Sequence, residues 1–485
     1  MYRQIKTIFS AYPWAAVFLA GALLPFAFAP SAVLPVACVA YYFFWIHMLR
    51  ASDWRAAFAT GWWFGFGQFV IGLYWIGNAV LIEADTFWWL LPFAVLLFPA
   101  GLAFFIAIPA AIWAALRLRL GTDNNIISAI ILAALLALAE LARGTILTGF
   151  PWNNIAMVWG SWLWLSQISA WTGFYGLSLI VLLWLMVPVA LWAAGRQLFG
   201  TIVSVFVLVV AIGLGLWRLE ASPPQQGGPR IAIVQPHIEQ GRKLNVADRQ
   251  AILRELLDLT EQAVKAEAEY VIWPETAVPF MIDEEPAFAK LLSAKLPPET
   301  ILITGAIRRQ KQTGQMISGV TEFDYYNSAQ LWRGGALRSL GDKRHLVPFG
   351  EYLPLQNFLE SFGFEQLTRQ RGGFTAGASA PILSDAGGIR FLALICYEAI
   401  FPIGSLYVDD ADVIVNLTND AWFGETAGPH QHLAQARLRA IEARRPLIRA
   451  ANTGVSAVFD HMGRRLGRLD LGKKGVLIVR VPLGH

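Results

Sequence analysis

The stretch "EASPPQQGGPRIAIVQ", residues 220–235, is where the chain changes character. Its first part is rich in Pro, Gly and Gln, residues that punctuate regular structure rather than propagate it. Its last six residues, "RIAIVQ" (230–235), are an apolar run of the kind that forms a buried strand. Composition differs sharply on the two sides. Residues 1–220 hold 15 of the 72 Asp, Glu, Lys and Arg residues and 17 of the 20 tryptophans; residues 221–485 hold the other 57 charges and three tryptophans. The chain as a whole is 56% hydrophobic and 15% charged, with mean hydropathy +0.49. A typical soluble domain is about half apolar and about a quarter charged, so the excess lies in the front half. Residues 1–219 therefore read as a membrane bundle, 220–230 as a linker, and 231–485 as a polar domain large enough for a core of its own.

A helix needs roughly 20 apolar residues to cross a hydrocarbon core of about 30 Å. Seven spans are expected, at 11–29, 32–49, 56–81, 87–116, 126–142, 162–194 and 199–217. The fourth and sixth are overlong and contain proline, which predicts tilting, kinking or partial re-entry. With the N-terminus inside, the inner loops carry Arg3, Lys6, Arg50, Arg55, Arg117, Arg119 and Arg196, and the outer loops Arg143, Arg218, Glu83 and Asp85. That bias of basic residues places residues 231–485 outside the cytoplasm. No convincing cleavage site follows the first span, which reads as an anchor. The aromatic stretch "GFPWNNIAMVWGSW" (149–162) is either an interfacial belt or the rim of a lipid-binding cleft. Glu140, near the end of the fifth span, is either functional or the ion-pair partner of Arg143.

Several classes are set aside by composition. Two cysteines, Cys38 and Cys396, make no disulfide framework. A net charge of +4 carried by scattered basic residues does not describe a nucleic-acid binder. Neither metal-ligand spacing nor a Gly-rich phosphate loop is evident, so no metal and no cofactor is expected.

Beyond the linker the pattern is α/β. A strand at 230–235 precedes a helix over about 247–268, where Ile252, Leu256, Leu259 and Ala263 recur at helical spacing, and then the strand in "YVIWPE". Further strands are predicted at 301–306, 327–332, 390–396, 412–418 and 454–459, with a helix at about 428–443. Functional residues in such sheets gather where strands end. Three ends stand out: "VIWPET" with Glu275, the charged loop "GDKRHLVPFGEYLP" (341–354), and "FLALICYEAIF" (391–401) with Cys396. Taken singly, Cys396 is small core filler, Glu275 a solvated turn residue and Lys343 one member of a charge run. As a nucleophile, a thiol needs a neighbouring base or cation. Cys–His pairing is one arrangement, with His237, His345, His430, His432, His461 and His485 available and His345 in the charged loop. A carboxylate base with a lysine that stabilises the oxyanion is the other.

In order and spacing, "VIWPET", "DKRHLVPFGEYLP" and "ICYE" resemble the Glu–Lys–Cys signature of the nitrilase, or carbon–nitrogen hydrolase, superfamily. With the apolar spans ahead, "GFPWN" and "NLTNDAWFG", nearly the whole chain resembles the apolipoprotein N-acyltransferase family within it. The resemblance implies a multi-span α-helical membrane bundle plus a nitrilase-like α-β-β-α sandwich. It assigns Glu275 as general base, Lys343 as oxyanion-stabilising lysine, Cys396 as nucleophile and Glu351 as a further carboxylate, with Tyr397, Glu398 and Trp422 shaping the pocket. The implied reaction moves an acyl chain from a membrane phospholipid to Cys396. The chain then passes to the α-amino group of the S-diacylglyceryl cysteine that opens an apolipoprotein. The site would face the periplasmic side of the inner membrane, the enzyme would act as a monomer, and no nucleic acid would take part.

Two positions depart from the family pattern. Leu244 stands where a Trp is usual, and after "VLIVRVPLGH" no further span follows, so a shortened or truncated chain is expected. The apolar residues of 352–374, Phe358, Phe362 and Phe364 among them, read either as a lipid-admitting lid or as a small satellite core. Two other functions share these residues: a membrane-tethered amidase or nitrilase that gives the acyl group to water, and a non-catalytic lipoprotein-binding protein.

Overall fold

The computed structural model describes residues 13–82, 84–120, 125–311, 323–355, 373–385, 388–403 and 408–483. The chain divides into two compact units, Met1–Pro223 and Pro224–His485.

The first unit is helical. Among the described residues, four helical runs are long and apolar enough to cross a membrane: Ala84–Arg119, Asn125–Arg143, Ser169–Ala193 and Gln197–Ala221. Pro13–Ala27 and Leu34–Arg50 are shorter apolar helices. Trp54–Gly72 starts at Asp53, whose carboxylate accepts the Ala56 amide at 2.8 Å. The two overlong segments are irregular. Residues Phe93–Leu97 after Pro92 are π-helical, and Gly173 interrupts Ser169–Ala193 with φ +66°. Leu198, Phe199, Ile202, Val205, Phe206 and Val209 all stand exposed along Gln197–Ala221. An apolar face of that extent suits hydrocarbon rather than water.

Polar groups in this unit turn inward. Glu140 is ion-paired with Arg143, and Asn154 Nδ2 donates to Glu140 Oε2 at 2.9 Å. Arg143 donates to the Trp152 carbonyl at 2.7 Å, and Ser178 Oγ to Asn154 Oδ1 at 2.7 Å. The pairing reading of Glu140 is thus the one the structure realises, in the interior rather than at an interface. Residues 151–160 are buried throughout, so this part of the aromatic stretch packs inside the unit.

Among its described residues the second unit holds two six-stranded sheets. Its strands are β1 (Arg230–Gln235), β2 (Tyr270–Ile272), β3 (Ile301–Lys311), β4 (Phe323–Arg333), β5 (Ala336–Asp342), β6 (Ile382–Leu383), β7 (Phe391–Ile395), β8 (Val413–Thr418), β9 (Leu447–Ala451), β10 (Ser456–Phe459), β11 (Arg465–Leu469) and β12 (Gly475–Arg480). The orders are β12-β1-β2-β3-β4-β5 and β11-β10-β9-β8-β7-β6. Pairing is parallel for β1/β2, β2/β3, β7/β8 and β8/β9.

Period-2 alternation explains the layers. Ile231, Ile233, Ile303 and Leu331 of the first sheet face Phe391, Ala393, Ile395, Val413, Val415 and Leu417 of the second in one shared core. The opposite face of the first sheet buries Ala232 and Val234 under Ile252, Leu256, Leu259 and Ala263 of the helix Arg249–Lys265, and under the helix Pro286–Lys295. The opposite face of the second buries Leu392, Leu394 and Ile414 under Ala436 and Ala440 of the helix Ala427–Ala443. Thr426 starts that helix by accepting the Gly428 amide at 3.1 Å. The result is the α-β-β-α sandwich that the resemblance implied. Strands β5, β6, β9, β11 and β12 and the helix Pro286–Lys295 were not anticipated.

Candidate active site

Strand ends bring the site together. β2 stops at Ile272, and Trp273–Pro274 lead to Glu275, whose side chain is buried. A Cβ on Gly305 of β3 would lie 2.5 Å from the Glu275 Cα, so the turn packs directly on a backbone that only glycine permits there. Glu275 Oε1 accepts from Asn327 Nδ2 at 2.9 Å, and Oε2 from the Asn419 amide at 2.9 Å. Both oxygens are thereby fixed.

Lys343 follows β5 and is 1% exposed. Its amide is tied to the Asn327 carbonyl at 2.8 Å. Nζ donates to Glu351 Oε1 at 2.9 Å and lies 3.8 Å from Glu275 Oε1. Burial acts to lower its pKa, but the carboxylates of Glu351 and Glu275 outweigh it and hold the ammonium charged. Glu351 also accepts from Asn327 Nδ2 at 2.9 Å and from the Val347 amide at 2.8 Å.

Cys396 comes directly after β7, rather than ending it, and opens a 3-10 turn with φ +53°, an unusual backbone state for a residue with a side chain. Such strain clusters at functional sites. Burial pushes the thiol pKa up, the Glu275 charge adds to this, and Lys343 opposes it. Burial and Glu275 thus favour the thiol over the thiolate. Glu398 ties this turn to the lysine loop. Its Oε2 accepts from the Ile395 amide at 2.8 Å, and its Oε1 from the amides of Arg344 and His345 at 2.9 and 3.1 Å.

Glu275, Lys343, Glu351, Cys396 and Glu398 thus converge. Tyr397 is buried with its ring 5.2 Å from that of Phe401, and Trp422 is half-buried in the turn Asp420–Phe423. Phe358, Phe362 and Phe364 lie outside the described residues, as does the side chain of Leu244. Leu353, of the same apolar stretch, is buried and Leu355 exposed.

His345 packs its ring 3.8 Å from that of Phe401. The imidazole that reaches Cys396 is His432, through the Cys396 carbonyl at 3.0 Å. Asn327, Thr418, Asp420 and Arg449 were not anticipated as parts of the site, and His432 only as one of six imidazoles available to the thiol. A signal existed for the first two, because a buried Asn or Thr that interrupts an apolar strand has a reason to be there.

Residues 230–485 match the carbon–nitrogen hydrolase family, and residues 20–187 match the apolipoprotein N-acyltransferase N-terminal domain. The apolipoprotein N-acyltransferase of Brucella melitensis is 41% identical over 431 residues, covering 87% of this chain and 79% of that protein. That of Rhodopseudomonas palustris is 40% identical over 487 residues, covering 96% of this chain and 88% of that protein. An amidase of Nesterenkonia sp. AN1 superposes with TM-score 0.37 at 21% identity, over 52% of this chain and 93% of that one. The match to both family regions, and about 40% identity along most of the length, show that the chain belongs to the apolipoprotein N-acyltransferase family, within the carbon–nitrogen hydrolases.

Proposed function

We propose that Cys396 carries the acyl chain between a membrane phospholipid and the N-terminal amine of a diacylglyceryl-apolipoprotein. Glu275 takes the proton from Sγ, and the sulfur attacks the ester carbonyl carbon. The oxygen gains negative charge beside the Lys343 ammonium. Collapse breaks the ester C–O bond, and Glu275 returns the proton to the departing lysophospholipid oxygen. In the second half the lipoprotein amine attacks the thioester, Glu275 accepts the amine proton, and Cys396 leaves as a thiolate that Glu275 reprotonates. Glu351 keeps Lys343 charged and in place, and Glu398 holds the nucleophile turn against the lysine loop.

The observation that carries this reading is the convergence of a buried carboxylate, a buried ammonium and a backbone-strained cysteine at three strand ends in a chain of this family. Both substrates reside in a bilayer, which accounts for a helical unit with apolar outer faces. The bias of basic residues toward one set of loops favours a second unit on the periplasmic side of the inner membrane.

The test uses the full-length protein with phospholipid labelled in its acyl chain. A thioester sensitive to neutral hydroxylamine should form on the wild type and not on Cys396→Ala. Mass spectrometry of a lipoprotein N-terminus should then show the acyl group on nitrogen. Free fatty acid with no N-acylated peptide would mean hydrolysis instead. A Cys396→Ser protein that keeps more than about a tenth of the transfer rate, a loss of under roughly 1.4 kcal/mol of barrier, would remove the nucleophile assignment.

A further inference from the structure

Behind Cys396 lies a second polar group that the scheme above leaves unused. Asn416 of β8 pairs in register with Arg449 of β9. Alternation turns both away from the inter-sheet core and under the helix Ala427–Ala443, and Thr418 falls on the same face two residues later. His432 comes from that helix and Asp420 from the turn after β8. Thr418, Asp420, His432 and Arg449 are each 0% exposed.

The group is closed on itself and on the nucleophile. Arg449 Nη2 donates to Asp420 Oδ2 at 2.6 Å, and Arg449 Nη1 donates to Asn416 Oδ1. His432 Nδ1 lies 3.0 Å from Asp420 Oδ1 and 3.1 Å from Arg449 Nη2, and His432 Nε2 lies 3.0 Å from the Cys396 carbonyl oxygen. A carbonyl only accepts, so Nε2 carries a proton and pins the turn that holds Cys396 in its strained conformation. A Cβ on Gly454 would come within 2.3 Å of Asp420 Oδ2, so glycine at 454 is what leaves room for the carboxylate.

Thr418 is the link. Its hydroxyl lies 2.9 Å from Asp420 Oδ1 and 3.3 Å from Cys396 Sγ, within hydrogen-bond reach of both. It has one proton to give. While the sulfur is a thiol, the ionised carboxylate is the stronger acceptor. Once the sulfur is a thiolate, rotation about a single C–O bond redirects the proton to Sγ.

We propose that Thr418 is a further catalytic residue, giving a hydrogen bond to Cys396 Sγ whenever that sulfur is negative, with Asp420, His432 and Arg449 as the positioning residues that hold it there. This rests on Cys396 being the nucleophile. The bond matters twice: as the proton passes to Glu275 before attack, and when the thiolate departs from the thioester in the second half-reaction. No covalent bond at Thr418 breaks in either step. Burial disfavours a charged Asp420, but Arg449 overcomes this and keeps its pKa well below the usual carboxylate range, so it stays ionised and can release the hydroxyl without becoming protonated. The other charged groups facing the sulfur are Glu275, which opposes the thiolate, and Lys343, which favours it.

The test is alkylation of Cys396 by iodoacetamide, followed from pH 7 to 11 in the full-length protein, with Cys396→Ala subtracting the reaction of Cys38. Thr418→Val keeps the shape and removes the donor. It should slow alkylation about tenfold at each pH below the midpoint and raise that midpoint, as expected when a hydrogen bond to a charged group is lost. Thr418→Ser keeps the donor and should stay within about threefold of wild type. A Thr418→Val protein with the wild-type rate and midpoint would overturn the proposal. So would a Thr418→Ser protein slowed as much as valine while melting at the wild-type temperature; this arm decides the matter if valine unsettles the fold. Alkylation needs neither lipid nor lipoprotein, so its outcome is separate from that of the thioester experiment.

Discussion

Lys343 Nζ sits 2.9 Å from Glu351 Oε1 but 3.8 Å from Glu275 Oε1, so the ammonium is bound to the carboxylate that is not the proposed base. That asymmetry leaves Glu275 able to accept a proton instead of being spent in a tight ion pair. Glu351→Gln removes the charge that holds Lys343 back. The ammonium should then close on Glu275, and single-turnover acylation should fall about 100-fold, in the range seen when one oxyanion donor is misplaced. An acylation rate within threefold of wild type would show that Glu351 holds nothing in place.

Cys396 has its pKa pushed up by burial and Glu275 and pulled down by Lys343. Alkylation of the wild-type thiol should therefore be slow at pH 7 and still be rising above pH 9. Removing the cation takes away the lowering influence, so Lys343→Met should move the midpoint further upward. A midpoint that moves downward in that variant would contradict the placement of the ammonium.

Glu398 accepts three backbone amides from two segments. Glu398→Gln must turn an NH2 group toward one or more of those N–H groups. Glu398→Ala leaves all three without this acceptor, and the buried Ile395 amide alone then costs about 1–3 kcal/mol. The alanine protein should melt several degrees lower. The glutamine protein should lose acylation rate more than it loses stability, because the lysine loop and the nucleophile turn separate. Equal rates for wild type and Glu398→Gln would reduce Glu398 to a packing residue.

Lys243 is buried beneath the turn that carries Glu275 and donates to the Thr276 carbonyl at 3.0 Å. Burial lowers its pKa from 10.5 to about 8, with the Glu275 charge opposing. A lysine depressed in the folded state binds fewer protons there than when unfolded, so stability rises as pH climbs from 8 to 10.5. The rise amounts to roughly 3 kcal/mol. In detergent, the stability difference between wild type and Lys243→Met should shift by that amount in favour of wild type over this interval. A difference flat in pH would mean that Lys243 titrates alike in both states.

Glu275, Lys343 and Cys396 lie at breaks between apolar runs and polar loops, a one-dimensional signal that survives without coordinates. Glu351 and Glu398 lie close in sequence to two of them and share that signal. Thr418, His432 and Arg449 are 14 and 17 residues apart in turn, and their meeting depends on Asn416 pairing with Arg449 rather than with a neighbour, which only the β8/β9 register decides. Asn327, which donates to both Glu275 and Glu351, sits in the middle of β4, and Asn is ordinarily depleted in strands. β9 was missed because "LIRAA" is short and apolar, and periodicity does not distinguish such a run from a piece of helix. In the first unit, hydropathy located the apolar segments. It carried no information on the inward network of Glu140, Arg143, Asn154 and Ser178.

The pairing of β1 with β12 sets Arg230 opposite Arg480. The first strand of the second unit thus waits, during synthesis, for residues 475–480 to leave the ribosome. Helices of the first unit can insert while translation continues, because each satisfies its own backbone. The sheet that carries Glu275 lacks a flanking strand until residues 475–480 have emerged, and such long-range pairing forms late. Helices of the first unit can therefore be in place while the sheet that positions Glu275 is still missing its flanking strand, so the proposed site is completed after the part of the chain that precedes it.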